Sequence, residues 1–145
     1  MRIAVLNGPN LNLLGEREPE VYGRTSLAEI EAMVREAAVP LGVEIDWFQT
    51  NHEGDMVEAV QRLRGRADGA LINAAALTHS SLALRDALLA VRLPFVELHL
   101  SNIFAREPER RHSVIADLAV GMVTGFGAQS YLLALDALVG RLRAA

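Results

Sequence analysis

The chain has 145 residues, 51% of them apolar, and a net charge of −4, so it can bury one ordinary core and lacks the basic surplus of a nucleic-acid-binding surface. All 14 basic residues are arginine and there is no cysteine. Without a side-chain amine or thiol, lysine imines, a P-loop lysine, thiol nucleophiles, disulfides and zinc–thiolate sites are excluded, which leaves oxygen, imidazole and guanidinium groups to do any chemistry.

In chain order, an apolar run over Ile3–Asn7 reads as a first strand and stops at the turn Asn7-Gly8-Pro9. That run is too short for a signal h-region or a membrane span, so a cytoplasmic enzyme or binding domain is expected. A long connection from Gly8 to about Thr25 follows. Helical spacing covers Ser26–Leu41, and Ser26 with Glu29 three residues on has the form of a capping box. Val43–Phe48 is the second strand. Asp55–Arg64 is the next helix, with Asp55 and Glu58 as a weaker cap. Gly69–Asn73 is the third strand, and Ser80–Val91 a helix whose Leu84, Leu88 and Val91 form one stripe suited to packing on a sheet. After the fourth strand, Phe95–Leu100, a second long connection runs from Ser101 to about His112. Ala119–Thr124 and Ala128–Leu142 are the last strand and helix.

Near-continuous apolar strands separated by helices predict an α/β fold: a flavodoxin-like five-stranded parallel sheet with helices on both faces, as one domain over residues 1–145. Ligands in such folds sit beyond the carboxyl ends of the strands, where strand order reverses. The two long connections, about 8–25 and 101–112, are therefore expected to be a lid and an active-site loop.

Polar residues past the strand ends are the candidate site. After the first strand come Asn7, Asn10, Asn12, Arg17 and Tyr22; after the third, Asn73, Thr78 and His79; at the fourth, Glu97, His99, Ser101 and Asn102, then Arg106 and Arg110. A tyrosine acting as a base near neutral pH needs roughly 4 kcal/mol of phenolate stabilisation, which nearby arginines can supply in a desolvated site. On local sequence alone the other reading is that Tyr22 is a surface loop aromatic and Arg17 a solvated charge. Glu97 and His99, two apart on a strand, share a face, so the carboxylate can fix the imidazole tautomer and raise its basicity; a satisfied core pair is the other reading. Leu100-Ser101-Asn102 can present N–H groups and a hydroxyl to an anion. Asp86 stands two helical turns after His79, either as a ligand group or as a charge paired with Arg85. Arg106, Arg110 and Arg111 either bind an acidic ligand or pair with Glu107 and Glu109.

Other chemistries fit poorly. The histidines at 52, 79, 99 and 112 form no metal-ligand motif, the glycines of Gly8–Gly15 lack dinucleotide spacing, and no nucleophile elbow is present. The grouping points to proton transfer on a small polar acid.

A whole-chain resemblance sharpens this. Leu6-Asn7-Gly8-Pro9-Asn10-Leu11-Asn12-Leu13-Leu14-Gly15, Arg17-Glu18-Pro19 with Tyr22-Gly23, and Asn51-His52-Glu53-Gly54 carry its first part. Ile72-Asn73-Ala74, Thr78-His79-Ser80-Ser81, Ala83-Leu84-Arg85-Asp86-Ala87, Glu97-Leu98-His99-Leu100-Ser101-Asn102, Arg106-Glu107 and Gly125-Phe126-Gly127-Ala128-Gln129, with Tyr131–Leu135, complete it. In this order they resemble the type II 3-dehydroquinate dehydratases of the shikimate pathway.

The resemblance implies a hydro-lyase that converts 3-dehydroquinate to 3-dehydroshikimate by anti elimination through an enolate, in chorismate and aromatic amino-acid biosynthesis. Tyr22 would be the base at C2, Arg17 would lower its pKa, and His99, oriented by Glu97, would protonate the departing C1 hydroxyl. Asn10 would hold a water or the oxyanion at the enolate. Substrate contacts would fall to Asn73, His79, Asp86, Leu100, Ser101 and Arg110, with Asp86 supplied by a neighbouring subunit of a homododecamer built from trimers. No cofactor, metal, nucleic acid or membrane is implied. Leu77, Phe104, Pro108, Glu109, Arg111 and Val114 depart from the expected pattern, beside the assigned residues. A non-catalytic flavodoxin-like module binding a small acid or FMN is the alternative.

Overall fold

The computed structural model describes all 145 residues. Its strands are β1 (Arg2–Asn7), β2 (Glu44–Gln49), β3 (Gly69–Asn73), β4 (Phe95–His99) and β5 (Gly121–Thr124), in one parallel sheet of order β2-β1-β3-β4-β5. The helices are α1 (Pro19–Tyr22), α2 (Leu27–Ala38), α3 (Glu53–Arg62), α4 (Leu82–Val91) and α5 (Gln129–Ala144). The flavodoxin-like α/β architecture expected from the alternating pattern is thus present. No helix is long and apolar enough to cross a membrane.

Strand alternation splits the core into two layers. Ile3, Val5, Leu71 and Leu98 point to one face, where Ile30 and Val34 of α2 and Leu135 and Leu138 of α5 cover them. Ala4, Leu6, Ala70, Ile72 and Phe95 point to the other, against Met56 and Val60 of α3 and Leu84 and Leu88 of α4. Burying each Leu- or Ile-sized side chain contributes about 1.5–3 kcal/mol, so either helix layer holds its face of the sheet firmly. The expected Leu84, Leu88 and Val91 stripe does pack on the sheet, with Val91 only partly buried. The central strands β3 and β4 are buried throughout, whereas the edge strands β2 and β5 are half-exposed.

Several boundaries differ from the sequence expectations, for local reasons. Ser26 caps α2 by accepting the Glu29 N–H at 3.1 Å, but its own hydroxyl donates to the Glu29 carboxylate, so the reciprocal half of the box differs. Asp55 does not open α3. Thr50 Oγ1 accepts the His52 N–H and donates to Asp55 at 3.2 Å, and this turn lets the helix begin at Glu53. In α4 the cap is Ser81, whose Oγ accepts from the Leu84 N–H, so the helix starts after Ser80. A 3-10 turn over Ala116–Leu118 delays β5 to Gly121.

The reversal of strand order falls between β1 and β3. Gly8 N–H donates to the Asn73 carbonyl at 2.8 Å, drawing the chain across the end of β3. A Cβ on Gly8 would stand 2.3 Å from the Ala74 carbonyl oxygen, so only glycine fits this crossing. Below it, the buried Tyr131 hydroxyl donates to Asn7 at 2.6 Å and accepts from Asn73 at 3.0 Å, locking the two strand ends together. Burial pushes the Tyr131 phenol well above the ordinary range.

Candidate active site

Beyond the carboxyl ends of β1, β3 and β4 lies a cavity of about 120 Å³. Asn10, Arg17, Tyr22, Asn73, His79, His99, Leu100, Ser101 and Arg110, all expected site residues, line it, together with Arg106. A larger cavity of about 250 Å³ on the β2 edge has Arg2, Trp47, Arg62 and Arg66 on its walls, but no histidine or tyrosine. Chemistry therefore selects the smaller one.

The strand geometry that places Glu97 and His99 on one face brings His99 Nε2 to 2.6 Å from Glu97 Oε2. Glu97 is fully buried, and His99 is 5% exposed. A carboxylate there accepts the Nε2–H, which keeps the ring's first proton on Nε2 and leaves Nδ1 as the atom that can take up and release a second. The second oxygen of Glu97 is also satisfied: Ser113 Oγ donates to Oε1 at 2.7 Å.

Tyr22 reaches the cavity from the other side, on the one-turn helix α1. The segment before it needs unusual backbone: Asn10 has φ 69° and Glu18 φ 41°, in the left-handed region. Asn10 is held there from β2, since its N–H donates to Asn51 Oδ1 at 2.9 Å while Gln49 Nε2 donates to both Asn51 Oδ1 and the Gly8 carbonyl. Two guanidiniums flank the Tyr22 ring, Arg17 at 4.8 Å and Arg106 at 5.3 Å from its centroid, inside cation–π range. Arg106 also donates to the phenol oxygen at 3.2 Å and to Ser101 Oγ at 3.4 Å.

Arg106 is the residue that sequence reasoning underrated. The local Arg-Glu-Pro-Glu-Arg-Arg run gives three arginines and two glutamates with nothing to rank them. In the folded chain Arg110 donates to Glu107 while still lining the cavity, and Arg111 turns back to the Arg106 carbonyl. Only the Arg106 guanidinium reaches both Tyr22 and Ser101. Ser113 was missed altogether, because its link to Glu97 spans 16 residues and two elements.

His79 is bracketed reciprocally with His112. Its Nδ1 donates to the His112 carbonyl at 2.7 Å, and His112 Nε2 donates to the His79 carbonyl at 2.9 Å. Burial holds the His79 ring below the ordinary histidine value despite that bond, so in the neutral ring Nε2 is left as an acceptor. Asn73 is 3% exposed, with one of its two amide protons given to Tyr131 and its Oδ1 accepting the Ala75 N–H. The N–H groups of Leu100 and Ser101 have no partner among the loop hydrogen bonds of the chain.

Asp86 is not brought to this cavity. It is exposed on α4, and its neighbour Arg85 makes a bidentate pair with Asp117 instead, at 2.6 and 3.0 Å. The pairing of Asp86 with Arg85 considered from sequence is therefore replaced by one that closes onto the Ala116–Leu118 turn.

A family profile described as "Dehydroquinase class II" matches residues 1–139. A 3-dehydroquinate dehydratase of Synechococcus sp. (strain WH7803) is 57% identical over 143 residues, covering 99% of this chain and 97% of that protein. One from Jannaschia sp. (strain CCS1) is 56% identical with the same coverage. The crystal structure of type II dehydroquinase from Butyrivibrio crossotus superimposes with a TM-score of 0.93 at 38% identity, covering 95% of this chain and 97% of that one.

Proposed function

We propose, from the premise that this chain belongs to the class II dehydroquinase family, that it dehydrates 3-dehydroquinate to 3-dehydroshikimate by anti elimination through an enolate. The observation that carries this reading is the convergence on one cavity of an arginine-flanked phenol and a carboxylate-held imidazole. Removing a proton beside a ketone makes an enolate and needs a base; expelling hydroxide from the next carbon needs an acid.

Tyr22 takes the C2 proton, and the Arg17 and Arg106 guanidiniums stabilise the negative charge it carries as base. The electron pair moves onto the ketone oxygen, where Asn10 holds a water or the oxyanion directly; one well-placed donor at such a charge is worth about 3–4 kcal/mol. When the enolate collapses, the C1–O bond breaks and His99, as the imidazolium held at Nε2 by Glu97, gives its Nδ1 proton to the leaving hydroxyl, so that water departs. Arg106 enlarges the site expected from sequence, since it bridges the base and Ser101.

Leu100 and Ser101 bind the substrate carboxylate through free N–H groups and the hydroxyl, while Asn73, His79 and Arg110 hold hydroxyl groups. The segment 8–25 acts as a lid, and its closure excludes water and strengthens the field of the arginines at Tyr22. Asp86 completes the site of a neighbouring subunit in a homododecamer of trimers working in the cytoplasm. Two features support this placement: Asp86 has no ion-pair partner within its chain, and Leu82 and Leu89, one helical turn on either side of it, are exposed at 64% and 47%.

Mixing the protein with 3-dehydroquinate tests the reading. Growth of the conjugated enone's ultraviolet absorption is expected, and its absence with folded protein rejects the assignment. Sedimentation or scattering checks the assembly.

A further inference from the structure

We infer that Ser113 is a positioning residue for the acid: it locks Glu97 so that the carboxylate holds the His99 ring from behind. The argument starts from valence. A serine hydroxyl has one proton and two acceptor sites. Ser113 Oγ accepts the Ile115 N–H at 3.2 Å and the Ala116 N–H at 3.0 Å, which uses both acceptor sites. Its proton is thereby directed to the remaining neighbour, Glu97 Oε1 at 2.7 Å. The hydroxyl cannot rotate to accept from Glu97 without giving up an amide, so it favours a carboxylate that accepts on Oε1 and, on Oε2, takes the His99 Nε2–H at 2.6 Å.

The chain is therefore Ser113 to Glu97 to His99, with each proton donated toward the carboxylate. Glu97 is fully buried and no arginine is paired with it. Two hydrogen bonds thus do what a cation does at more exposed carboxylates, and losing one leaves a buried oxygen unmatched. The Ser113 end is anchored independently of the strand, because the two amides belong to the turn that leads into β5. His112, the preceding residue, brackets His79, so this short segment sets the orientation of two of the cavity's imidazoles.

This inference rests on His99 acting as the acid in the proposed dehydration. Turnover by the wild-type chain and its loss in His99→Ala test that reading separately. Ser113→Ala is expected to lower kcat about ten- to hundredfold, the span for a lost hydrogen bond to a charged group, with KM changed by no more than about threefold on the same scale. Ser113→Thr, which keeps the hydroxyl, restores most of kcat. In a Glu97→Gln background the Ser113→Ala change should cost little more, because the serine acts only through that carboxylate.

A near-normal kcat in Ser113→Ala, a loss confined to KM, or full multiplicative losses in the double variant overturns the inference while leaving the dehydration intact. Should the alanine chain not fold, the nearly isosteric Ser113→Cys, a weak donor, is measured against the same criteria.

Discussion

His99 and Tyr22 face one cavity but are held there in opposite ways. His99 ends a fully buried central strand, and its partner Glu97 sits on the same strand, so backbone alternation puts both on one face for their 2.6 Å contact. Tyr22 ends a four-residue helix with no buried residue, after a loop with two non-glycine residues in left-handed backbone. Its place is set from outside, by Arg106 of the other long loop and, through Asn10, by Gln49 and Asn51 of the β2 end. The proposed acid is thus built into the sheet, whereas the proposed base is held by contacts between loops. Loops move with substrate more readily than packed strands do, so the lid proposed for segment 8–25 falls on the Tyr22 side.

The largest effects should come from the proposed base and acid themselves. Tyr22→Phe and His99→Ala are each expected to cut turnover by roughly a hundred- to ten-thousandfold, the usual span for a general base or acid. Circular dichroism should show both variants folded, and a near-normal rate in either would remove that residue's role. Arg106→Ala comes next and probes the asymmetry directly. Loss of the guanidinium that ties the two loops should lower kcat about tenfold or more and also disorder the 8–25 segment, seen as faster amide exchange there with the β4 amides unchanged. Equal exchange in both regions would mean that the two sides are not separately held.

A stability experiment bears on the sheet beneath both groups. Tyr131→Phe leaves Asn7 Oδ1 without its buried donor and should cost about 1–3 kcal/mol in denaturant unfolding. The folded phenol is raised above the ordinary value of 10.0, so its contribution is fully present below that pH. It is lost as pH rises further, because the unfolded chain gives up the proton first. Wild-type stability should therefore fall above pH 10 by more than that of the phenylalanine variant. The smallest expected effect is none: borohydride with substrate should leave activity intact, since a lysine-free chain has no side-chain amine to trap as an imine. Irreversible inactivation would contradict the enolate route.

The fold was largely legible because its signals are local. Five apolar runs and the helices between them specify a parallel sheet, and Gly8 and Ser26 mark a turn and a cap through their own backbone needs. Glu97 and His99 were readable for the same reason, since a spacing of two on a strand is a statement about one face. What stayed hidden depended on distant chain segments. Asp55 is the local exception: Thr50, five residues before it, engages the carboxylate that the sequence offers as a helix cap. Arg106 could not be ranked above Arg110 and Arg111, and Ser113 carried no signal at all.

By itself the sequence determined which chemistry is open to this protein. With no lysine and no cysteine, and with a loop tyrosine, a carboxylate–histidine pair and several arginines near strand ends, it left acid–base proton transfer open and excluded a lysine imine. Only the tertiary structure decided which arginine meets Tyr22, which hydroxyl holds Glu97, and that Asp86 points away from its own cavity. The physical reason is that residue type and local period fix what a side chain can do and which face it takes. Its partner across a loop is fixed only when separate strand ends are packed into one sheet.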